Sequence, residues 1–136
     1  MKNAILLFVI FSLCIMTACE DNNFSGSITG YWVNAEENDS IITFQKSSGL
    51  KDNEYGIAFQ GRGVFVERKI NGWCGTPPVT YTDYEGSWEK SDSIIRISVG
   101  FWGGTEEYEW KLLELDDNHL TVRIISKKVS ESFYEQ

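Results

Sequence analysis

Apolar and polar side chains alternate with a period of two over most of the chain, and this alternation limits the fold more than any other feature. In residues 107–112 the apolar Tyr108, Trp110 and Leu112 are separated by charged residues. A period of two places apolar side chains on one face of a β-strand and polar ones on the other. The same pattern recurs at 55–60, 94–101 and 120–124. Because no segment keeps a helical period for more than a turn or two, the sequence predicts an all-β domain.

Turn-forming residues divide the chain at intervals of about ten to twelve residues. Candidate turns lie at 36–39, 47–53, 61–63, 71–78, 90–93, 103–104 and 116–119. Strands spaced in this way favour hairpins between antiparallel neighbours. We therefore predict a single antiparallel up-and-down meander of about eight strands closing into a small barrel or a sandwich. The predicted barrel domain spans 28–129, and a C-terminal tail follows at 130–136.

Residues 1–18 are predicted to form a signal peptide. Lys2 is followed by an apolar run at 4–15, which is too short to span a bilayer as a helix. The run ends in Met16-Thr17-Ala18-Cys19, which resembles a bacterial lipobox. That resemblance implies cleavage before Cys19 and acylation of its thiol and new amino group, with palmitate as a typical acyl chain. The alternative is an ordinary secreted protein cut near Ala18, with Cys19 left as a free thiol.

Residues 19–27 are polar and contain Gly and Ser, so we predict a flexible tether that begins at the lipidated cysteine. The acidic residues directly after Cys19 resemble the export tag of surface lipoproteins in the Bacteroidetes; a merely solubilising spacer is the alternative. These features predict an outer-membrane lipoprotein in the cell envelope of a Gram-negative bacterium, with the choice of leaflet open. The net charge of −8 argues against nucleic-acid binding and leaves membrane attachment to the acyl chains.

Two segments carry a resemblance to a known family. Gly30-Tyr31-Trp32 opens the first predicted strand, and residues 108–122 form the last predicted hairpin. Both segments resemble the lipocalin-like (calycin-type) family, in particular its small bacterial lipoproteins. The resemblance implies a lipocalin-like barrel in which Trp32 plugs the closed end, Gly30 lets the backbone approach the indole, and Arg123 packs across it. A domain of about 100 residues is short for that family, which disfavours a large ligand cup.

The sequence offers little material for catalysis or metal binding. The single histidine, His119, lies in a predicted turn, where a solvated side chain is expected. Glu106, Glu107 and Glu109 form a close group of carboxylates, but Glu107 and Glu109 lie opposite the apolar face of their strand. That position indicates a wet outer surface rather than a sugar-cleaving pair. We predict a protein that is not an enzyme and that has no metal and no cofactor.

Aromatic residues in two predicted loops are the best binding candidates. Two prolines stiffen the first loop, which reduces the entropy lost on docking, and Trp and Tyr are enriched at interface hot spots. Cys74 in this loop has no cysteine partner once Cys19 is lipidated, and we interpret it as a small buried residue. The alternative is that the aromatic side chains only cap one end of the barrel. The candidates are Trp73, Cys74, Pro77, Pro78, Tyr81, Tyr84 and Trp102.

Two functions remain open at this point. The family resemblance favours a non-catalytic binding protein that holds a small apolar ligand in the barrel mouth. The short domain and its bulky inward residues, such as Trp32 and Phe59, favour a surface interaction protein, an inhibitor or a complex subunit, that uses aromatic loops over a filled core. The sequence predicts neither the identity of the ligand or partner nor the oligomeric state.

Overall fold

The computed structural model describes residues 24–72 and 79–132. In these ranges the chain forms eight strands, one 3₁₀ turn and no α-helix. The elements are β1 (Gly30–Asn38), β2 (Ile41–Ser47), β3 (Gly56–Gln60), the 3₁₀ turn (Gly61–Gly63), β4 (Val64–Ile70), β5 (Tyr81–Ser91), β6 (Ile94–Phe101), β7 (Gly104–Leu115) and β8 (His119–Glu131). The strands pair antiparallel and close into a barrel, which confirms the predicted fold class.

The order of strands around the barrel is β1-β2-β8-β7-β6-β5-β4-β3. From β3 to β8 each strand pairs with the next one in the chain, as in a meander. β1 lies between β2 and β3, and the pairing of β2 with β8 closes the ring. The connection 48–55 therefore crosses the outside of β1, where the Lys51 ammonium donates to Asn34 Oδ1 at 2.7 Å. Val33 and Ala58 are buried near this connection although neither belongs to the interior core.

The barrel has two ends of different character. The plugged end is the one at which β1 begins and at which the turns 61–63, 92–93 and 116–118 lie. The charged end is the opposite one, and it holds the connection from β4 to β5, the turn 102–103 and the last residues of β8. Adjacent hairpins alternate between the two ends because consecutive strands run in opposite directions.

Alternate side chains of the strands fill the interior. At the plugged end the Phe59 ring lies 5.1 Å from both the Phe65 and the Trp88 ring centroids. Tyr108 stacks on Trp110 with 5.5 Å between the centroids. Such close aromatic contacts are typical of a solid protein core. The largest fully buried side chains are Trp32, Phe44, Phe59, Phe65, Ile57, Ile95, Leu112, Leu120, Val99 and Val122.

The N-terminal segment covers the plugged end. Phe24 packs against the core, and Ile28 is part of it. The indole N–H of Trp32 donates to the Ile28 carbonyl at 2.8 Å. The predicted tether 19–27 is therefore too long, because the packed domain has already begun at Phe24. Residues 19–23 lie outside the described ranges.

The barrel also continues past its predicted C-terminal boundary. β8 extends to Glu131, and the backbone N–H of Ser132 donates to the Gly103 carbonyl at 2.9 Å. Gly104 begins β7 with a φ of +155° and lies so close to the Ser130 carbonyl that an added Cβ would clash. Glycine is therefore required there. The hydrogen bond from Ser132 and the close packing at Gly104 hold the end of β8 against the turn between β6 and β7.

Candidate functional site

Two charged side chains of β4 point into the barrel. Phe65, Glu67 and Lys69 alternate along β4, so the core position of Phe65 places the other two on the inner face. Glu67 is only 2% exposed. The Lys69 ammonium donates to Glu67 Oε2 at 2.7 Å and to Glu106 Oε2, on β7, at 2.7 Å. Buried charges of this kind are tolerated only when they are paired.

Tyrosine hydroxyls and a second lysine complete these contacts. The Tyr55 hydroxyl donates to Glu67 Oε1 at 2.9 Å, and the Tyr108 hydroxyl donates to Glu106 Oε2. The Lys127 ammonium lies 3.0 Å from Glu106 Oε1. Within the described residues, every buried side-chain nitrogen or oxygen has a hydrogen-bond partner. The charged network consists of Tyr55, Glu67, Lys69, Glu106, Tyr108 and Lys127.

Two aromatic rings flank the Lys69 ammonium. Its nitrogen lies 5.3 Å from the centroid of Tyr84 and 5.9 Å from that of Phe101, within the range of cation–π attraction. The Tyr84 hydroxyl donates to Asn71 Oδ1 at 2.8 Å, which ties this ring to the residue that follows β4. The residues that surround the Lys69 ammonium form the Lys69 cage: Glu67, Glu106, Tyr84 and Phe101.

Two members of the charged network, Glu106 and Lys69, favour their charged forms near neutral pH. Burial opposes the anionic form of Glu106, but hydrogen bonds from Lys69, Tyr108 and Lys127 outweigh it and lower the pKa of Glu106 to about 2. Burial also opposes the cation of Lys69, yet its hydrogen bonds to Glu106 and Glu67 raise the pKa of Lys69. Burial and the nearby carboxylates raise the pKa of Tyr108 far above its ordinary value. Glu106 and Lys69 therefore stay charged and Tyr108 stays a neutral hydroxyl, so none of the three is suited to exchanging protons at neutral pH.

The charged end also exposes apolar side chains. Trp102 is 70% exposed on the turn between β6 and β7, and its ring stands perpendicular to that of Phe101 at 6.1 Å. The Trp102 ring lies close to Gly72, where an added Cβ would be 3.7 Å from it. Ile70, the last residue of β4, and Val79, on the connection to β5, are 44% and 41% exposed. These residues at the charged end make up the Trp102 surface: Ile70, Gly72, Val79 and Trp102.

Three of the binding candidates predicted from the sequence lie at this end. Trp102 is exposed, and Tyr84 is part of the Lys69 cage. Tyr81 is half-buried at the start of β5, opposite Ile70. The other candidates lie outside the described residues: Trp73, Cys74, Pro77, Pro78 and the predicted lipidation site Cys19.

The residues predicted to close the barrel lie at the plugged end, with one exception. Trp32 is completely buried, and β1 begins at Gly30 with a φ of +137°. The cation over the Trp32 ring is the Lys46 ammonium, 4.4 Å from its centroid. The expected contact of Arg123 with Trp32 is wrong. Arg123 follows the inward-facing Val122 in β8, so its side chain points outward and is exposed.

The charged network was not predicted from the sequence. Glu67-Arg68-Lys69 has the look of a solvated charge run, yet only Arg68 faces outward, where it donates to Asp83 at 2.6 Å. The available signal was the spacing from Phe65, which places the two neighbours of Arg68 on the core-facing positions of the strand.

The acidic group on β7 divides between the two faces of the sheet. Glu107 is exposed, and Glu109 is partly exposed with its carboxylate 3.5 Å from Arg96, so both face outward as expected. Glu106 shares the inner face with Tyr108 and belongs to the charged network. The two outward carboxylates are thereby separated from the inward one by the sheet itself.

His119 is the first residue of β8, directly after the turn 116–118, and its side chain is exposed, as predicted. Its Nδ1 is 3.6 Å from Asp116 Oδ1, which also accepts the backbone N–H groups of Asn118 and His119 at 2.7 Å each. This carboxylate stabilises the turn through an Asx-type arrangement. Over 24–72 and 79–132, no group of three His, Cys, Asp or Glu side chains is placed to hold a metal ion.

A groove of about 490 Å³ runs over the outer wall of the barrel, across β5 to β8. Its lining mixes polar and apolar surface, with Ser98 and Ser126 beside the charged Arg96, Glu107 and Lys128. These five residues face away from the barrel interior, and the groove also borders Tyr108 of the charged network. It is not the apolar cup that a lipocalin-like ligand would require.

Comparison of the chain with protein-family models, with curated proteins and with solved structures found no match. Over the described residues, the structure has no helix of the length and apolar character that a membrane crossing requires.

Proposed function

We propose that this chain is a lipid-anchored protein of the bacterial cell envelope that binds a partner protein through the Trp102 surface. The observation that carries the proposal is the 70% exposure of Trp102. An indole ring gains the most from burial of any side chain at an interface, and tryptophan is enriched among the residues that dominate binding energy. Ile70 and Val79 expose further apolar surface at the same end of the barrel.

The turn that carries Trp102 is held in place by the rest of the barrel. Both the backbone N–H and the hydroxyl of Ser132 donate to the Gly103 carbonyl, at 2.9 and 3.2 Å. Phe101 supports the indole from the strand side at 6.1 Å. A side chain presented on a fixed turn loses little conformational entropy when it docks, which favours affinity.

The packing of the interior supports a surface site over a ligand cup. Phe44, Phe59 and Trp110 occupy the barrel with ring centroids about 5 to 6 Å from their aromatic neighbours. Side chains packed in this way fill a barrel of eight strands without a ligand. The binding of a small apolar ligand stays a prediction, tested by solvent extraction of protein purified from its host. Recovery of one equivalent of a small molecule would favour it over the surface proposal.

The direction of the barrel fits an anchor at Cys19. The packed domain begins at Phe24, five residues later, so the intervening chain spans at most about 18 Å. Phe24 lies at the plugged end, whereas Trp102 lies at the charged end, and the 12 residues of β7 separate these ends by roughly 30 Å. An anchored chain standing on its plugged end would present the Trp102 surface away from the membrane.

A photo-crosslinking amino acid placed at Thr105 of the full chain, in its host, tests the proposal, because Thr105 is exposed three residues after Trp102 and its replacement leaves the indole in place. We expect one discrete crosslinked product, lost when unlabelled wild-type chain competes and retained when the Trp102→Ala variant competes. The same crosslinker at Asp117, exposed at the plugged end, serves as the matched control. A smear of products shared by both positions, or no product at 105, would contradict partner binding at the Trp102 surface.

Fractionation of the envelope tests the anchor separately. The Cys19→Ala variant should move from the membrane to the soluble fraction, because a single substitution removes the acyl chains that hold the protein. The Cys74→Ala variant is the control for loss of a thiol and should stay in the membrane fraction. Retention of the Cys19→Ala variant in the membrane would refute lipid anchoring.

A further inference from the structure

We infer that the Lys69 cage is a binding site for a primary alkylammonium group, with the chain's own Lys69 as its occupant. The ammonium is held by carboxylate oxygens at 2.7 Å on two different strands and by two aromatic rings within 6 Å. Carboxylates and ring faces converging on one nitrogen are the chemistry by which proteins bind organic cations.

If the Lys69 ammonium left the cage, the remaining carboxylates would still favour a cation at its position. Glu106 would keep the Lys127 ammonium at 3.0 Å and the Tyr108 hydroxyl, but Glu67, 2% exposed, would keep only the Tyr55 hydroxyl as a donor. A carboxylate that is buried without a counter-charge is strongly unfavourable. An incoming ammonium would therefore be drawn to the position that Lys69 Nζ now occupies.

The cage lies close enough to solvent for exchange. The side chains of Lys69 and Glu106 are 16% and 13% exposed, and that of Lys127 is 50% exposed. Lys69 is the last residue but one of β4, next to the exposed Ile70. A long side chain at the end of a strand can swing its ammonium into water while its stem stays near the rim.

The natural source of the ammonium would be a lysine side chain of the partner, inserted as the partner docks beside the cage on the Trp102 surface. This step rests on the proposed function, whereas the cage itself does not. Phe101 connects the cage with the Trp102 surface, since its ring centroid lies 5.9 Å from the Lys69 ammonium and 6.1 Å from the Trp102 ring centroid. Lys69 would then compete as a tethered ligand, which keeps free small amines from binding the wild-type chain.

Chemical rescue of the Lys69→Ala variant of the full chain tests the cage. This substitution removes three methylenes and the ammonium, so n-propylammonium replaces the missing atoms. We expect 100 mM n-propylammonium chloride to raise the folded-to-unfolded ratio of the variant about tenfold over equal KCl, with an apparent Kd on the order of 10 mM. The wild-type chain and the Lys128→Ala variant, which lacks a lysine on the outer wall, should not respond.

The neutral analogue n-propanol separates cation binding from the filling of a cavity. Equal rescue by n-propanol, or no rescue beyond KCl, would overturn the inference. If the Lys69→Ala variant does not fold alone, amine-dependent recovery of its near-ultraviolet circular dichroism supports the site, and failure to recover overturns it. Rescue together with a negative crosslinking result at residue 105 would keep the ammonium site and remove the partner proposal.

Discussion

Apolar rings fill the barrel interior at the plugged end, whereas charged side chains fill it at the charged end. At the plugged end Phe59 touches Phe65 and Trp88 at ring distances of 5.1 Å, and the stabilisation is non-directional burial. At the charged end Lys69 and Glu67 fill the interior, and their stability depends on each keeping its partner at 2.7 Å. Burial of apolar surface therefore stabilises the plugged end. The stability of the charged end depends instead on its side chains keeping their charges and their partners.

The largest expected effect is at the plugged end. Phe59→Ala should lower the free energy of unfolding by about 4 kcal/mol, since it leaves a cavity among packed rings. Phe59→Leu keeps most of the volume and should cost about 1 kcal/mol. Urea denaturation followed by tryptophan fluorescence measures both. A loss below about 1 kcal/mol for Phe59→Ala would show that the plugged end is not the stabilising one.

The two interior-facing cations sharpen the comparison. Lys69→Met should cost about 3 kcal/mol, because the buried Glu67 loses its counter-charge. Lys46→Met, which removes the cation 4.4 Å from Trp32, should cost less than about 1 kcal/mol because Lys46 is exposed. Adding Glu67→Gln to Lys69→Met should recover part of the loss. Equal losses for the two lysine variants in urea denaturation would contradict the distinction between the ends.

Acid should weaken the charged end selectively. The pKa of Glu106 is about 2 in the folded chain against an ordinary value of 4.5, so the folded state favours the anion. The resulting stabilisation is complete above pH 4.5 and is lost as the pH falls from there to about 2. We expect Glu106 to contribute about 2 kcal/mol over this window, after allowance for solvent screening. Urea titrations at several pH values should show a shallower acid slope for Glu106→Gln than for wild type, and an unchanged slope for Phe59→Leu.

The smallest effect on stability is expected at Trp102. Trp102→Ala should change the free energy of unfolding by less than about 0.5 kcal/mol, because the ring is mostly in water. Differential scanning calorimetry measures this directly. A loss of more than about 2 kcal/mol would make Trp102 a packing residue and would remove the basis of the partner proposal.

The period of two predicted the strands well because it is a local property. In β7, Tyr108, Trp110 and Leu112 occupy the interior as their alternation with charged residues indicates. The tight turns are local in the same way, because they need residue types that tolerate a positive φ. Asp92 is one of these, and it adopts a φ of +54° in the turn between β5 and β6. Features that are decided by neighbouring residues can be predicted from one sequence.

The charged network could not be assembled from local patterns because its partners come from distant strands. Spacing alone places Glu67 inside, but it does not reveal that Tyr55 and Glu106 meet it there. The position of β1 between β2 and β3 is likewise a matter of long-range pairing. At the site, the sequence indicated the exposed aromatic residue at 102 and missed the charged groups beside it.

The position of β1 between β2 and β3 also bears on how the chain is made. β2 is among the first strands to be synthesised, and its outer edge pairs with β8, the last strand. Until β8 is available, the opening hairpin keeps one edge of unsatisfied N–H and C=O groups, the kind of edge that promotes misassociation between chains. The ring closes only when the last strand arrives, so a chain truncated before β8 would be left open with two unpaired edges.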